Sequence, residues 1–320
     1  MIKSPVRQPY IPGLFSARYW KRVRIRLAND WQLYVLLVPA IAFFIVFCYM
    51  PMYGIQIAFR DYKAVRKITG SEWVGMKNFQ TFFSAYYCGR LFANTFLLNL
   101  LNLLWGFPIP IVLAILLNQF DRVRLKKFTQ TAIYVPHFVS TVVMAGMLYL
   151  FFSPTNGIVN HVITSLGGKS IYFMVEASWF RRLFIGSEIW QHSGWNTILY
   201  IATLAGINPE IYEAATIDGA TKWQKIRYVD LPHLLPIATM MLILNCGSLL
   251  GSNTDKALLM QTPGNTSVSD IIGVYVYNMG LGRAQFSYTA AIGLCVNLIN
   301  FVMILSVNWI SRRVGDTSLF

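Results

Sequence analysis

The side chains of this sequence that could contact a solute are mainly amides and tryptophans placed within apolar segments. They are Trp190, His192, Trp195, Asn196, Asn245, Ser248, Asn253, Asn297 and Asn300. Because polar groups are costly to bury in lipid, they face either a cavity or another helix. For any single asparagine, hydrogen bonding between helices is the commoner role. As a group, however, rings that stack on pyranose faces and amides that bond hydroxyls fit a path for a sugar.

Metal and covalent chemistry find little support. Histidine and cysteine each occur four times, as His137, His161, His192 and His233 and as Cys48, Cys88, Cys246 and Cys295. The histidines fall in separate segments without an HExxH pattern, and the cysteines lack the spacing of metal ligands. We therefore expect no metal, no disulfide and no catalytic residue in this chain.

One short stretch imitates a phosphate-binding loop. Gly167, Gly168, Lys169 and Ser170 match the end of the GxxxxGKS pattern. That pattern needs a glycine at position 163, where the sequence has Ile163, and no strand pattern precedes it. We interpret the stretch as a turn in a loop.

Composition places the chain in a membrane. Hydrophobic residues make up 55% of the 320 residues and charged residues only 12%, with a mean hydropathy of +0.49, whereas soluble domains are about one-quarter charged. The formal charge of +14 could suggest nucleic acid. The basic residues stand at the ends of apolar runs instead of forming one patch, which indicates membrane topology and no nucleic-acid partner.

Six apolar runs reach or approach the roughly 20 residues that cross a bilayer. They are residues 33–58, 91–117, 129–152, 184–206, 233–251 and 287–310. We predict an all-α polytopic membrane protein with six transmembrane helices over residues 33–310. Residues 1–32 and 311–320 would form tails, and the first is too highly charged for a cleaved signal peptide.

The distribution of cations favours tails on the cytoplasmic side. In that orientation, 16 of the 27 Lys and Arg residues lie inside. The outer segments hold the other 11 against six acidic residues. This excess would attract a polyanion, although Lys and Arg near headgroups also serve to anchor helices.

A polar segment, residues 208–236, separates two of the apolar runs. Asn208 suits the N-cap of a short helix, and Pro209 suits its first turn. Gly219 can end that helix in a left-handed conformation, and residues 220–228 have the composition of a second helix. Pro232 and Pro236 would then set the return into the membrane. We expect a bent helical elbow on the cytoplasmic surface.

This elbow resembles the EAA motif of ABC-importer permeases. The resemblance rests on fixed gaps from Glu213 to Pro232, with Val229 where Ile is more usual. It implies the type I ABC-importer permease fold, in which the segment is a coupling helix that docks on an ATPase. The motif positions are Glu213, Ala214, Ala215, Asp218, Gly219, Leu231 and Pro232.

Two predicted outer loops resemble one branch of this family in particular. Residues 51–79, with PMYGIQIAFRDY and WVGMKNF, and residues 274–288 are similar to importers of oligosaccharides and polysaccharides. Within that branch the chain looks similar to permeases for acidic polymers such as alginate.

The resemblance implies a set of partners. They are a second homologous permease subunit, two ATPase subunits that bind ATP and Mg²⁺, a solute-binding protein and membrane lipid. It also implies a bacterial inner membrane location, with no cofactor on this chain. The alternative is a self-sufficient channel or secondary carrier, which would need an intramembrane ion relay or inverted repeats. No central charge is evident, since Glu188 stands near the edge of its run. An integral membrane enzyme is a third class.

Overall fold

The computed structural model describes residues 20, 24–25, 28–251 and 253–314, and most of them are helical. The chain divides into two units, residues 1–56 and 57–320. Most of the predicted tails, 1–32 and 311–320, lies outside the described residues, so that assignment stays a prediction.

The first unit contains most of one long apolar helix, Trp31–Phe59 (α1). The helix accommodates Pro39 and continues through a π-helical segment, Phe44–Tyr49. No residue of its most apolar stretch is buried. A helix that is apolar on every side and exposed suits contact with lipid.

The second unit begins with a small hairpin and two helices. Strands Arg60–Asp61 (β1) and Glu72–Trp73 (β2) pair antiparallel. Helix Lys77–Phe83 (α2) follows, and then the long helix Cys88–Asn118 (α3). Pro108 and Pro110 lie inside α3, as prolines do in membrane helices whose freed backbone groups find other partners.

The next predicted run bends sharply. Helices Val123–Phe138 (α4) and Thr141–Phe151 (α5) meet at 97°. Ser140 caps α5 by accepting a hydrogen bond from the Val143 N–H. Helix Ile158–Ser165 (α6) then ends in a turn in which Gly167 has φ +85°, and Ser170 donates a hydrogen bond to the Pro154 carbonyl. The structure thus places the glycine pair in a turn, as predicted.

Helix Ala177–Ala205 (α7) is 29 residues long and packs closely against α4. The contact is made at Gly194, where a Cβ atom would stand 1.9 Å from the Ile133 carbonyl oxygen. Glycine is required here because the two backbones approach too closely for a side chain. This approach brings the polar middle of α7 beside the bend that follows α4.

The remaining helices complete the unit. They are Pro209–Ile217 (α8), Lys222–Cys246 (α9), Thr254–Met260 (α10), Thr266–Ser269 (α11), Ile272–Tyr277 (α12) and Phe286–Val314 (α13). One apolar cluster includes Leu98, Leu148, Phe184 and Met260 and joins α3, α5, α7 and α10. A second, around Ala114, Leu204 and Leu234, joins α3, α7 and α9. These clusters hold the helices that carry the polar side chains.

By length and composition, four helices within the described residues can span a membrane, or five if α4 and α5 count as one span. The four are α1, α3, α9 and α13. The predicted run 184–206 lies in α7, which is long enough to cross but carries polar residues. The predicted run 233–251 belongs to α9, which starts earlier, at Lys222, and ends at Cys246.

Candidate functional site

The elbow begins with the predicted cap. The Asn208 side chain accepts a hydrogen bond of 3.1 Å from the Glu210 N–H, and α8 starts at Pro209. Gly219 ends α8 with φ +75°. Thr221 and Gln224 then form a capping box at the start of α9. The cap and the left-handed glycine are therefore confirmed.

The second arm of the elbow differs from the prediction. Residues 220–228 do not form a separate helix, because α9 runs from Lys222 to Cys246 and includes Pro232 and Pro236. Pro232 has no N–H to donate to the Tyr228 carbonyl, and the helix widens into a π turn over Ile226–Asp230. The prolines are accommodated within a continuous helix that connects the elbow to the membrane.

A buried carboxylate joins the elbow to α3. Asp230 is fully buried and accepts hydrogen bonds from the Tyr212 hydroxyl at 2.5 Å and from Gln119 Nε2 at 3.2 Å. Tyr212 lies on α8 and Gln119 directly follows α3. Burial, the hydrogen bond to Asp230 and the charge of Asp230 raise the pKa of Tyr212, so its hydroxyl stays a donor. The sequence places Asp230 within the motif without indicating this role.

The outer face of the elbow is open to solvent. Of the motif residues, only Ala215 is half-buried, while the exposed ones are Glu213, Ala214, Asp218, Gly219, Leu231 and Pro232. Ile217 is 86% exposed and Trp223 is 68% exposed on the same elbow. Large apolar side chains exposed beside a slim, alanine-containing helix are typical of an interaction surface.

The second unit contains a cavity of about 770 Å³ between α3, α7 and α9. Its polar lining comes from these helices and from the segment after α9. The residues are Asn99, Asn102, Glu188, His192, Ser193, Trp195, Asn196, Asn245, Ser248 and Asn253. A mixture of amides, hydroxyls and one tryptophan can bind a polyhydroxylated solute by hydrogen bonding and stacking.

Most of the residues predicted to contact a solute lie around this cavity. His192, Trp195, Asn196, Asn245, Ser248 and Asn253 line it. The other three residues, Trp190, Asn297 and Asn300, do not. Trp190 and Asn297 are exposed, and Asn300 accepts a hydrogen bond from the Leu250 N–H at 3.1 Å. Asn300 therefore joins α13 to the segment after α9, the helix-to-helix role expected for many asparagines.

Two amide side chains of the lining are absent from the predicted path. Asn99 and Asn102 lie on α3, three residues apart and therefore on one face of the helix. The rule that polar groups within an apolar run face a cavity or a helix applies to them equally. They were not recognised in the sequence because a long apolar run surrounds them.

A buried ion pair adjoins the cavity. Lys256 Nζ lies 2.8 Å from Glu188 Oε2, and the two side chains are 3% and 13% exposed. Lys256 belongs to α10 and is one of the 11 cations that the predicted topology places in the outer segments. A second cavity of about 300 Å³ is lined by both residues. Glu188, which the sequence places near the edge of an apolar run, is therefore one partner of a buried ion pair.

Two histidines extend this cluster to the last turn of α4. His192 Nε2 lies 3.5 Å from Glu188 Oε1, and His192 Nδ1 lies 3.0 Å from His137 Nδ1. A hydrogen bond between two Nδ1 atoms needs one donor and one acceptor, so at least one ring is neutral. The His137 ring stacks on Trp195 with centroids 4.4 Å apart. The end of α4 thereby supports the tryptophan that lines the cavity.

The sequence matches the family described as "Binding-protein-dependent transport system inner membrane component" over residues 81–316. The chain belongs to this family. Among its relatives in Bacillus subtilis (strain 168), Protein LplB is 39% identical over 92% of each chain. The polygalacturonan/rhamnogalacturonan transport system permease protein YteP is 36% identical over 96% of each. Members of the family are permeases and not enzymes.

Solved structures of this transporter class share the fold. A chain of a bacterial ABC transporter that imports the acidic polysaccharide alginate is 36% identical, with a TM-score of 0.84 over 93% of this chain and 99% of that one. A chain of a bacterial alginate transporter, in complex with a periplasmic protein that holds an alginate pentasaccharide, gives a TM-score of 0.85 at 35% identity. It covers 94% of this chain and all of that one. The likeness to these permease chains therefore covers nearly the whole of this chain.

Proposed function

We propose that this chain forms half of the translocation path of an ATP-driven importer for an oligosaccharide or polysaccharide. The observation that carries the proposal is the cavity lined by amides, hydroxyls and Trp195. Its relatives include transporters of polygalacturonan and rhamnogalacturonan and of alginate. All of these polymers contain acidic sugars, which supports an acidic polymer as the narrower substrate class.

The elbow couples transport to ATP hydrolysis. Two partner ATPase subunits bind the nucleotide and Mg²⁺, so this chain needs no cofactor of its own. The exposed motif face docks on one of these ATPases, and the second permease subunit completes the path. Because α9 is continuous from the elbow to Asn245, a displacement of the elbow moves one wall of the cavity directly. A solute-binding protein delivers the sugar from outside.

Uptake by the reconstituted importer tests this function. Proteoliposomes that contain both permeases and the ATPases should import labelled oligosaccharide only with binding protein outside and ATP inside. A proton ionophore should leave uptake unchanged. Uptake that needs no ATP and collapses with the ionophore would support a secondary carrier instead, for which the buried ion pair would be a suitable relay.

Orientation is a separate part of the proposal, with both termini in the cytoplasm. Single cysteines at Asp121 and Thr266, both exposed, are introduced into a chain without its native cysteines. An impermeant maleimide should label Thr266→Cys in intact cells and Asp121→Cys only after permeabilisation. The opposite pattern would reverse the topology and place the elbow outside.

A further inference from the structure

The two cavities share part of their lining. Glu188, His192 and Asn253 line both, and we call these three residues the junction. Lys256 lines only the smaller cavity. It is almost completely buried, and its ammonium group contacts Glu188 at 2.8 Å. The carboxylate therefore lies at the junction, while its counter-ion is hidden from the larger cavity.

Of the two charges in this ion pair, only that of Glu188 lines the larger cavity. Among the described residues that line the larger cavity, Glu188 is the only one with a full formal charge. A carboxylate without a partner would repel an acidic sugar strongly wherever the path excludes water. Lys256 cancels this charge at close range. Glu188 also contacts His192, which contacts His137 in turn. The exposed Asp255 lines the smaller cavity together with Glu188.

We propose that Lys256 determines the charge specificity of this permease, an inference that rests on the proposed function. By neutralising Glu188 it allows acidic oligosaccharides to pass the junction. Lys256 acts through Glu188 and does not itself line the larger cavity, so it is a positioning residue. The pair also ties α10 to α7, and a purely structural role would affect acidic and neutral solutes alike.

The test compares acidic and neutral oligosaccharides of equal length in the reconstituted importer. Lys256→Met leaves Glu188 without its cation and should reduce acidic uptake by about tenfold more than neutral uptake. The double variant Glu188→Gln with Lys256→Met removes both charges and should restore the wild-type ratio. Lys169→Gln removes an exposed cation away from the junction and should leave the ratio unchanged.

Glu188→Gln covers the case in which Lys256→Met fails to assemble. This variant leaves the positive charge of Lys256 in place. It should raise the ratio of acidic to neutral uptake, whereas Lys256→Met should lower it. Equal changes for both solute classes in these variants would overturn the role of Lys256, as would a wild-type importer that carries neutral sugars alone. Absence of ATP-dependent uptake of any oligosaccharide would instead overturn the proposed function.

Discussion

The Tyr212 hydroxyl donates a hydrogen bond to the buried Asp230 carboxylate, 18 residues further along the chain. The bond connects α8, the exposed arm of the elbow, to α9, which enters the membrane. Gln119 donates to the other carboxylate oxygen from the end of α3. One side chain thus holds three helices together at the surface proposed to meet the ATPase.

Removal of this hydroxyl should loosen the elbow. Tyr212→Phe leaves one lone pair of a buried carboxylate unsatisfied, which costs roughly 1–3 kcal/mol. We expect a lower unfolding temperature in detergent and reduced stimulation of ATP hydrolysis by the loaded binding protein. Tyr228→Phe is the matched control, because Tyr228 lies on the same elbow and is 68% exposed. Equal effects of the two substitutions would contradict the role of the Tyr212 bond.

Gly219 offers a second test of the elbow. Its φ is +75° and the space around it is open, so a substitution there acts through the backbone alone. Gly219→Val forces a β-branched residue into a left-handed conformation, at a cost of about 1–3 kcal/mol. Combined with Glu213→Ala, it should abolish stimulated ATP hydrolysis while the subunit still inserts.

Asparagine tolerates the left-handed conformation better than other residues with a side chain. Gly219→Asn should therefore retain most of the coupling and serves as the control. Normal coupling in the Gly219→Val, Glu213→Ala variant would refute the assignment of this turn to coupling. Equal loss in Gly219→Asn would show that the added side chain matters more than the backbone conformation.

Two glycines of α7 provide a matched pair for the packing of α4. A Cβ atom at Gly194 would meet the Ile133 carbonyl oxygen, whereas nothing lies within 4 Å of one at Gly186. Gly194→Ala should destabilise the subunit by roughly 1–3 kcal/mol through overpacking, and Gly186→Ala should not destabilise it. Thermal unfolding in detergent measures the difference. Equal stabilities would mean that α4 and α7 separate easily.

The elbow was the part of the fold most accessible from sequence, because its signals are local. A cap such as Asn208 and a left-handed glycine such as Gly219 act within one helical turn. The continuity of α9 through Pro232 was not accessible, because prolines that end soluble helices are tolerated in membrane helices. The consequence is a direct link from elbow to cavity that the sequence interpretation lacked.

The cavity was only partly predictable, because its walls come from helices far apart in the chain. The polar residues of α7 and α9 were recognisable within their apolar runs. Asn99 and Asn102 were overlooked because the apolar run of α3 is longer. Lys256 looked like a loop cation, since its burial depends on Glu188 from a distant helix. Asn297 and Asn300 share the composition of the lining residues but lie on α13, outside it.

Asn245 and Asn297 therefore form a direct test of where the solute passes. Both are exposed amides on apolar helices, but only Asn245 lines the cavity. Asn245→Leu removes a hydrogen-bonding amide without adding charge and should lower oligosaccharide uptake by about tenfold, equivalent to about 1.4 kcal/mol. Basal ATP hydrolysis should persist, because the elbow is untouched. Asn297→Leu should leave uptake nearly unchanged. Equal losses would favour the wider group that the sequence predicts, and an effect of Asn297→Leu alone would place the path elsewhere.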